Sequence, residues 1–365
     1  MRAWIEVDLG ALVRNGARLV ARAGVPLLPM VKADAYGLGA VPVARALEAL
    51  DPWGFGVATA DEGAELRHAG IRRPVVIFTP LLPADLAAAR AAGLTPALGD
   101  ARSIAAWAEA GGGPWHLAVD TGMHRAGAKW SDVGALRDAV TRCPPEGVFT
   151  HFHSAEDDAA SLVEQTERFE WALAALPFRP AVRHAENSAA IVRLGASAWS
   201  VVRPGIFLFG AGGGDGSDGP EPVAALRARV IDLHAVAPGE GVSYGMRYRV
   251  AGARRVATVA AGYADGYRRA FSNVGRAIIN GHRVAVTGTV TMDMTMLDVT
   301  DVPCAIGDVV TLLGPAPRTG GTGRAEGAEG IDLTTAAREA EIAVYEVLTG
   351  LHARLPRVYV GARDE

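Results

Sequence analysis

Residues 26–50 read PLLPMV-KADAYGLG-AVPVARALEAL: an apolar run of strand length, a loop carrying one lysine, then an Ala/Leu/Arg segment at helical spacing. The same succession returns along the chain. Strand-like runs stand at 54–58, 73–78, 94–97, 115–119, 147–151, 181–185 and 199–203, with amphipathic segments such as 39–50, 60–69, 100–110 and 158–176 between them. Strands that alternate with helices build a parallel sheet. Eight such units in roughly 200 residues predict an α/β fold of the (β/α)8, TIM-like barrel type. An open doubly wound sheet is the alternative, but no GxGxxG follows the first strand to support it.

Beyond residue 210 the character changes. The segment 210–222 is rich in Gly, Asp and Pro and reads as a linker or a long loop. Runs at 223–235, 255–262 and 307–313 read as strands, and 276–286 reads as a hairpin with Asn280-Gly281 in its turn. A low-complexity stretch at 315–330 predicts an exposed loop, followed by a helix at 332–349 and a strand at 357–360. The expected organisation is a barrel over 1–220 and a β-rich C-terminal domain over 221–365. The strand-like residues at the start of 1–8 are available to pair with the second domain.

Composition narrows the function classes. The chain has 365 residues, 36 basic against 40 acidic side chains, and a net charge of −4. Mixed, near-neutral charge argues against a nucleic-acid or anionic-membrane partner. Half the residues are hydrophobic, ample for a core. Cys143 and Cys304 lie far apart, with neither disulfide-framework nor metal spacing. No signal-peptide core follows Met1, and the apolar runs fall short of a membrane span, so a soluble protein in a reduced cytoplasm is expected. The basic residues comprise 34 Arg and only two Lys, Lys32 and Lys129. In a chain that favours Arg so strongly, a retained Lys marks chemistry that a guanidinium does not supply.

Barrel chemistry collects where the strands end. The first strand leads into Lys32, the fifth into DTGMHRAG at 120–127, the sixth into His151-Phe152-His153, the seventh into Asn187-Ser188 and the eighth into Arg203-Pro204-Gly205-Ile206. At the end of an apolar strand an ammonium is poorly solvated and its pKa falls, so Lys32 can condense with a carbonyl. The alternative is an ion-paired lysine beside Asp34. Lys129 reads as solvent-facing. Asn187-Ser188 and Gly205-Ile206 suit a phosphate, although Asn187 alone would also make an ordinary helix cap. A lysine and a phosphate cradle on one barrel face point to pyridoxal phosphate. His151 and His153 would share one face of a strand. A metal would need further ligands that the sequence does not place, so no metal is expected and His151 reads as a hydrogen-bonding member of the site.

Nine motifs in order now identify a family. VKADAYGLG at 31–39, VDTGMHRAG at 119–127, FTHFHSAE at 149–156, ENSAA at 186–190 and VRPGI at 202–206 resemble bacterial alanine racemases. VSYG at 242–245, GYADGY at 262–267, MDM at 292–294 and YEVLTG at 345–350 continue the match, which spans essentially the whole chain. The resemblance implies a pyridoxal 5'-phosphate enzyme, a homodimer with active sites at the interface, that racemises L-alanine to D-alanine for peptidoglycan precursors. It implies that Lys32 binds the cofactor and serves one face of the α-carbon, and that Tyr244 of the second subunit serves the other. His151 and Arg203 would tune these two groups, the arginine facing the pyridine nitrogen. With Lys32, His151 and Arg203, the residues Tyr36, Asn187, Ser188, Gly205, Ile206 and Tyr345 would bind the cofactor. Arg125, Met292 and Tyr263 would meet the substrate, the last as a gate. Packing is the alternative for Tyr263 and Tyr345.

Four departures stand near this site. Ala118 replaces a lysine that is often carbamylated and braces the active-site arginine, which leaves Arg125 to be held by an anion or another side chain. Thr291 replaces a common cysteine, His124 a common glycine, and His153-Ser154 smaller residues. They leave room for a serine or broad-specificity racemase as an alternative. A non-catalytic pyridoxal-phosphate-binding protein would lack VSYG and MDM. A decarboxylase of similar architecture would carry a cysteine-centred motif that Cys304 does not provide.

Overall fold

A computed structural model describes residues 1–212, 219–317 and 330–361. Of the segments read as linker and loop, 213–218 and 318–329 lie outside the described residues.

Six parallel strands stand in chain order: Phe55–Val57, Val75–Ile77, Thr95–Leu98, His116–Asp120, Gly147–Phe149 and Val182–His184. Two further segments close the ring by bridges alone. Leu27 bridges Val202, Met30 bridges Gly56, and Asn187 bridges Arg203, all in parallel. Leu28 N donates to Val202 O at 2.8 Å and Arg203 N to Glu186 O at 2.8 Å. The eight-membered parallel barrel is therefore present, but 26–31 and 199–203 are not continuous strands. Pro26, Pro29 and Pro204 have no N–H to donate, so a regular ladder cannot form there.

The outer helices start on side-chain caps. Asp8 accepts from Ala11 N at 2.8 Å to open Leu9–Ala23, and Gly24 closes that helix in the left-handed region at φ 69°. Leu9, Leu12 and Leu19 of this helix are buried in the core. Thr59 and Glu62 form a capping box at the head of Ala60–His68. The Glu62 carboxylate also accepts from Ala33 N at 2.8 Å and Ala58 N at 2.7 Å, tying this helix to the lysine loop.

The second region is organised on one long strand, Ala224–Val236. It pairs antiparallel with Ala3–Asp8, Arg254–Val259 and Val309–Pro315. Ala3–Asp8 pairs in turn with Arg357–Val360, in parallel. The hairpin Arg276–Ile279/His282–Ala285 turns at Asn280 and Gly281, both with positive φ as a type I′ turn requires. One expectation fails here. The segment 332–349 is two helices, Leu333–Glu339 and Val344–Thr349, separated at Glu341 (φ 55°). Ala340 and Ile342 pack into the core across the break, which contains neither glycine nor proline. Among the described residues no helix is long and apolar enough to cross a membrane.

Candidate active site

A cavity of about 720 Å³ opens where the barrel strands end. It is lined by Lys32, Tyr36, Arg125, His151, Asn187, Ser188, Arg203, Gly205, Ile206 and Tyr345, so ten of the expected site residues meet in one place. Tyr244, Tyr263 and Met292 do not line it.

Lys32 opens an unusual turn. Ala33, Asp34, Ala35 and Tyr36 all take left-handed backbone angles, with φ between 51° and 56°. Each non-glycine residue there costs about 1–2 kcal/mol. The surroundings hold the turn: Asp34 Oδ1 accepts from Ala40 N at 2.7 Å, and Asp34 O accepts from Gly39 N at 2.9 Å. Tyr36 stacks on Phe209 with ring centroids 4.6 Å apart. Lys32, at the head of this turn, lines the cavity. Burial, and then the positive charge of Arg125, lower the Lys32 pKa; Glu62 opposes them.

Arg203 is buried and held on several sides. Its Nη1 donates to His184 Nδ1 at 2.8 Å; its Nη2 donates to Thr150 O at 2.7 Å and Ala185 O at 2.9 Å and lies 3.2 Å from His151 Nδ1. Phe78 and Phe149 lie against the guanidinium, 5.6 and 5.4 Å from its carbon. Burial pulls the Arg203 pKa down to about 9. Burial, and then the charges of Arg203, Arg125 and Lys32, bring His151 down to about 3, so its imidazole is neutral.

Behind Arg203 the hydrogen bonds determine two tautomers. His184 Nδ1 accepts from the arginine, so its proton sits on Nε2 and is donated to His116 Nδ1 at 2.8 Å. The His116 proton then sits on Nε2, which is buried without a hydrogen-bond partner among the described residues; the nearest carboxylate oxygen, Glu146 Oε2, is 3.7 Å away. The sequence reading missed this buried pair. A histidine inside an otherwise apolar strand was its only signal.

At the other end of the cavity, Ser188 Oγ accepts from Gly205 N at 2.9 Å. A Cβ at Gly205 would collide with the Tyr36 hydroxyl, so only glycine lets tyrosine and backbone approach this closely. Asn187 caps the helix Ser188–Leu194 by accepting from Ala190 N at 3.0 Å. The strand reading of His151–His153 is corrected: the strand ends at Phe149. His153 is exposed and bonded to Ser154 Oγ at 2.6 Å, while His151 turns to Arg203, so the two rings share no face. Lys129 is exposed, as expected.

Ala118 sits beside Ala97 and Phe149 in an apolar corner of the cavity. Arg125 has no carboxylate partner among the described residues. Asp120, near it in sequence, accepts instead from Gly122 N and His124 N. Lys32, Arg125 and Arg203 thus bring three cationic side chains to one cavity. A dianionic phosphate, a phenolic oxygen and a carboxylate would balance them, and the carbonyl that completes pyridoxal phosphate would meet Lys32. The donor set fits that cofactor.

Tyr244, Tyr263 and Met292 form a surface of their own, 74%, 42% and 54% exposed. Thr289 Oγ1 donates to Tyr244 O at 3.0 Å, and Tyr263 N donates to Thr291 O at 3.0 Å. Three residues expected to act in the chemistry are therefore gathered together, away from their own cavity, with Met246 and Met294 also exposed.

Comparison with known proteins gives concordant results. Residues 7–212 match the family model described as alanine racemase, N-terminal domain, and 223–359 match alanine racemase, C-terminal domain. The alanine racemase of Symbiobacterium thermophilum is 38% identical over 381 residues, covering 98% of this chain and 97% of the relative. A crystal structure of alanine racemase from Streptomyces lavendulae superposes with a TM-score of 0.89 at 31% identity, covering 100% of this chain and 98% of the other. That from Bartonella henselae, with covalently bound pyridoxal phosphate, gives 0.88 at 27% identity, covering 99% and 100%.

Proposed function

The chain belongs to the alanine racemase family, and from that premise we propose that it interconverts L- and D-alanine with pyridoxal 5'-phosphate held in the barrel cavity. One observation carries this reading: a lysine of lowered pKa shares a cavity with a buried arginine that no carboxylate bonds among the described residues. In this reading residues 1–220 form the cofactor barrel and 221–365 the domain that serves a partner, with 1–8 joining the latter's sheet. The protein works as a cytoplasmic homodimer supplying D-alanine to peptidoglycan precursors.

The cofactor supplies a carbonyl that captures the substrate amine and a ring that accepts electron density from the α-carbon. The chain supplies position and proton transfer. Tyr36, Ser188, Gly205, Ile206 and Tyr345 hold the phosphate end, with Asn187 setting the helix start behind it. Arg203 would meet the ring nitrogen as a donor, because a guanidinium with a pKa near 9 keeps its proton at neutral pH. Lys32 exchanges a proton with one face of the α-carbon, and burial makes its neutral amine more accessible than that of an ordinary lysine. The exposed Tyr244 of a second copy serves the opposite face, with His151 neutral beside the reaction. Arg125 and the backbone N–H of Met292 hold the substrate carboxylate, and Tyr263 gates the mouth.

Racemisation by purified holoprotein, assayed over alanine, serine and lysine, tests the proposal. Alanine is expected to turn over fastest. Lys32→Ala is expected to abolish turnover, and Tyr244→Phe to lower it by about 10²–10⁴-fold, the size of a lost acid–base group. No alanine turnover by the intact protein would overturn the function. Loss in the lysine variant alone would overturn the two-base scheme.

A further inference from the structure

Two loops of the second region are joined backbone to backbone. Tyr263 N donates to Thr291 O at 3.0 Å and Ala264 N to Met292 O at 2.9 Å. Gly262 lies so close beneath the second loop that any Cβ would collide with the carbonyls of Thr291 and Met292. Under both loops sits Asp265, fully buried. Its carboxylate accepts from Gly262 N at 2.9 Å, Arg2 Nη2 at 3.0 Å and Arg354 Nε at 2.8 Å. Arg354 then reaches outward, and its Nη2 donates to Asp293 Oδ1 at 2.8 Å.

Beyond these two backbone bonds and the Asp293 ion pair, the turn 291–294 closes on itself. Thr291 Oγ1 donates to Met294 O at 2.9 Å, and Thr291 N donates to the same oxygen at 3.0 Å. Met292 and Met294 are exposed, which leaves Asp293 as the one side chain of the turn anchored beyond it among the described residues. That anchor is half-exposed at both ends, Arg354 at 36% and Asp293 at 47%. Such a pair contributes little to global stability. What it constrains is direction: the turn cannot tilt away from the surface without breaking a charge-assisted bond that leads back to a buried carboxylate.

We propose that the ion-pair chain Arg2–Asp265–Arg354–Asp293 is a positioning device that aims the Met292 backbone at the substrate carboxylate in a partner's cavity. This rests on the reading above, in which a second copy of the chain completes each site. Arg354 and Asp293 touch no reacting atom; they set the height and tilt of the turn that does.

The test is Arg354→Met in the full-length holoenzyme, with propionate (alanine without its amino group) as a competitive inhibitor that reports on the carboxylate subsite. KM for alanine is expected to rise about fivefold in both directions, with kcat within about twofold, and the inhibition constant of propionate to rise in parallel. Arg354→Lys recovers part of the loss. Asp293→Ala added to Arg354→Met costs nothing further, because the pair acts as one unit. Sedimentation and thermal midpoint confirm that the variant is a folded dimer. An unchanged KM and propionate constant in that dimer would overturn the inference alone. A wild-type protein that neither dimerises nor turns over alanine would overturn the reading beneath it and this inference as well.

Discussion

Arg203 determines the protonation of the imidazoles packed around it. It donates to His184 Nδ1, which forces that ring, and His116 behind it, to stay neutral. Both rings are fully buried, and burial is the first cause lowering each pKa from the ordinary 6.5; His151 is brought to about 3. The sign follows. Above pH 6.5 these rings are neutral in folded and unfolded chains alike, and pH does not matter to them. Below it the unfolded chain takes up protons that the folded one refuses, so stability falls towards the lowered values. Each imidazole contributes a slope of up to about 1.4 kcal/mol per pH unit. Glu156 and Glu186, raised by burial, oppose this at lower pH. Urea midpoints of the holoprotein are therefore expected to drop between pH 7.5 and 5.5; midpoints that stay level would contradict the neutral-imidazole network. At this scale Lys32, His151 and Arg203 were legible because each ends an apolar run with a polar head. His184 and His116 were not, because inside a strand a histidine looks like core until its neighbour across the barrel is known.

The elements that could be read in advance are those whose period or punctuation is explicit. Thr59 caps a helix at its expected start, and Asn280-Gly281 turns the hairpin. Two elements carry no such mark. The break at Glu341 lacks glycine or proline, and the left-handed turn 33–36 is written Ala-Asp-Ala-Tyr, which has no local preference for that hand. Tertiary contacts impose it: the Asp34 carboxylate at Ala40 N, the Glu62 carboxylate at Ala33 N, and Tyr36 against Phe209. The strain is testable at Ala33, which is exposed with φ 52°. Glycine relieves a left-handed alanine by about 1–2 kcal/mol and returns about 0.5–1 kcal/mol as unfolded-chain entropy. Ala33→Gly is thus expected to be neutral or stabilising. Ala105→Gly, on the exposed face of the right-handed helix Ala101–Glu109, is expected to cost about 1 kcal/mol. Equal losses at the two positions by urea titration would show that the turn is not strained as described.

Across the whole molecule the proposed site residues fall into two groups, one lining the cavity and one outside it. The barrel gathers Lys32, Arg125, His151 and Arg203 into its cavity, while Tyr244, Tyr263 and Met292 stand exposed on another surface. Reading where the barrel strands end reached the first group; the second group, and the second chain that would complete each site, came only from the resemblance. If two copies exchange these groups, two inactive variants must repair one another. Lys32→Ala retains Tyr244, and Tyr244→Phe retains Lys32. Unfolded together and refolded at equal concentration, they form heterodimers in which one site carries both substitutions and the other carries neither. Random pairing makes half the dimers mixed, each with one intact site of two, so the mixture is expected to recover about a quarter of wild-type activity. Each parent refolded alone must stay inactive. A mixture no more active than its parents would mean that Lys32 and Tyr244 act within one chain, and would require Tyr244 to reach a cavity that it does not line.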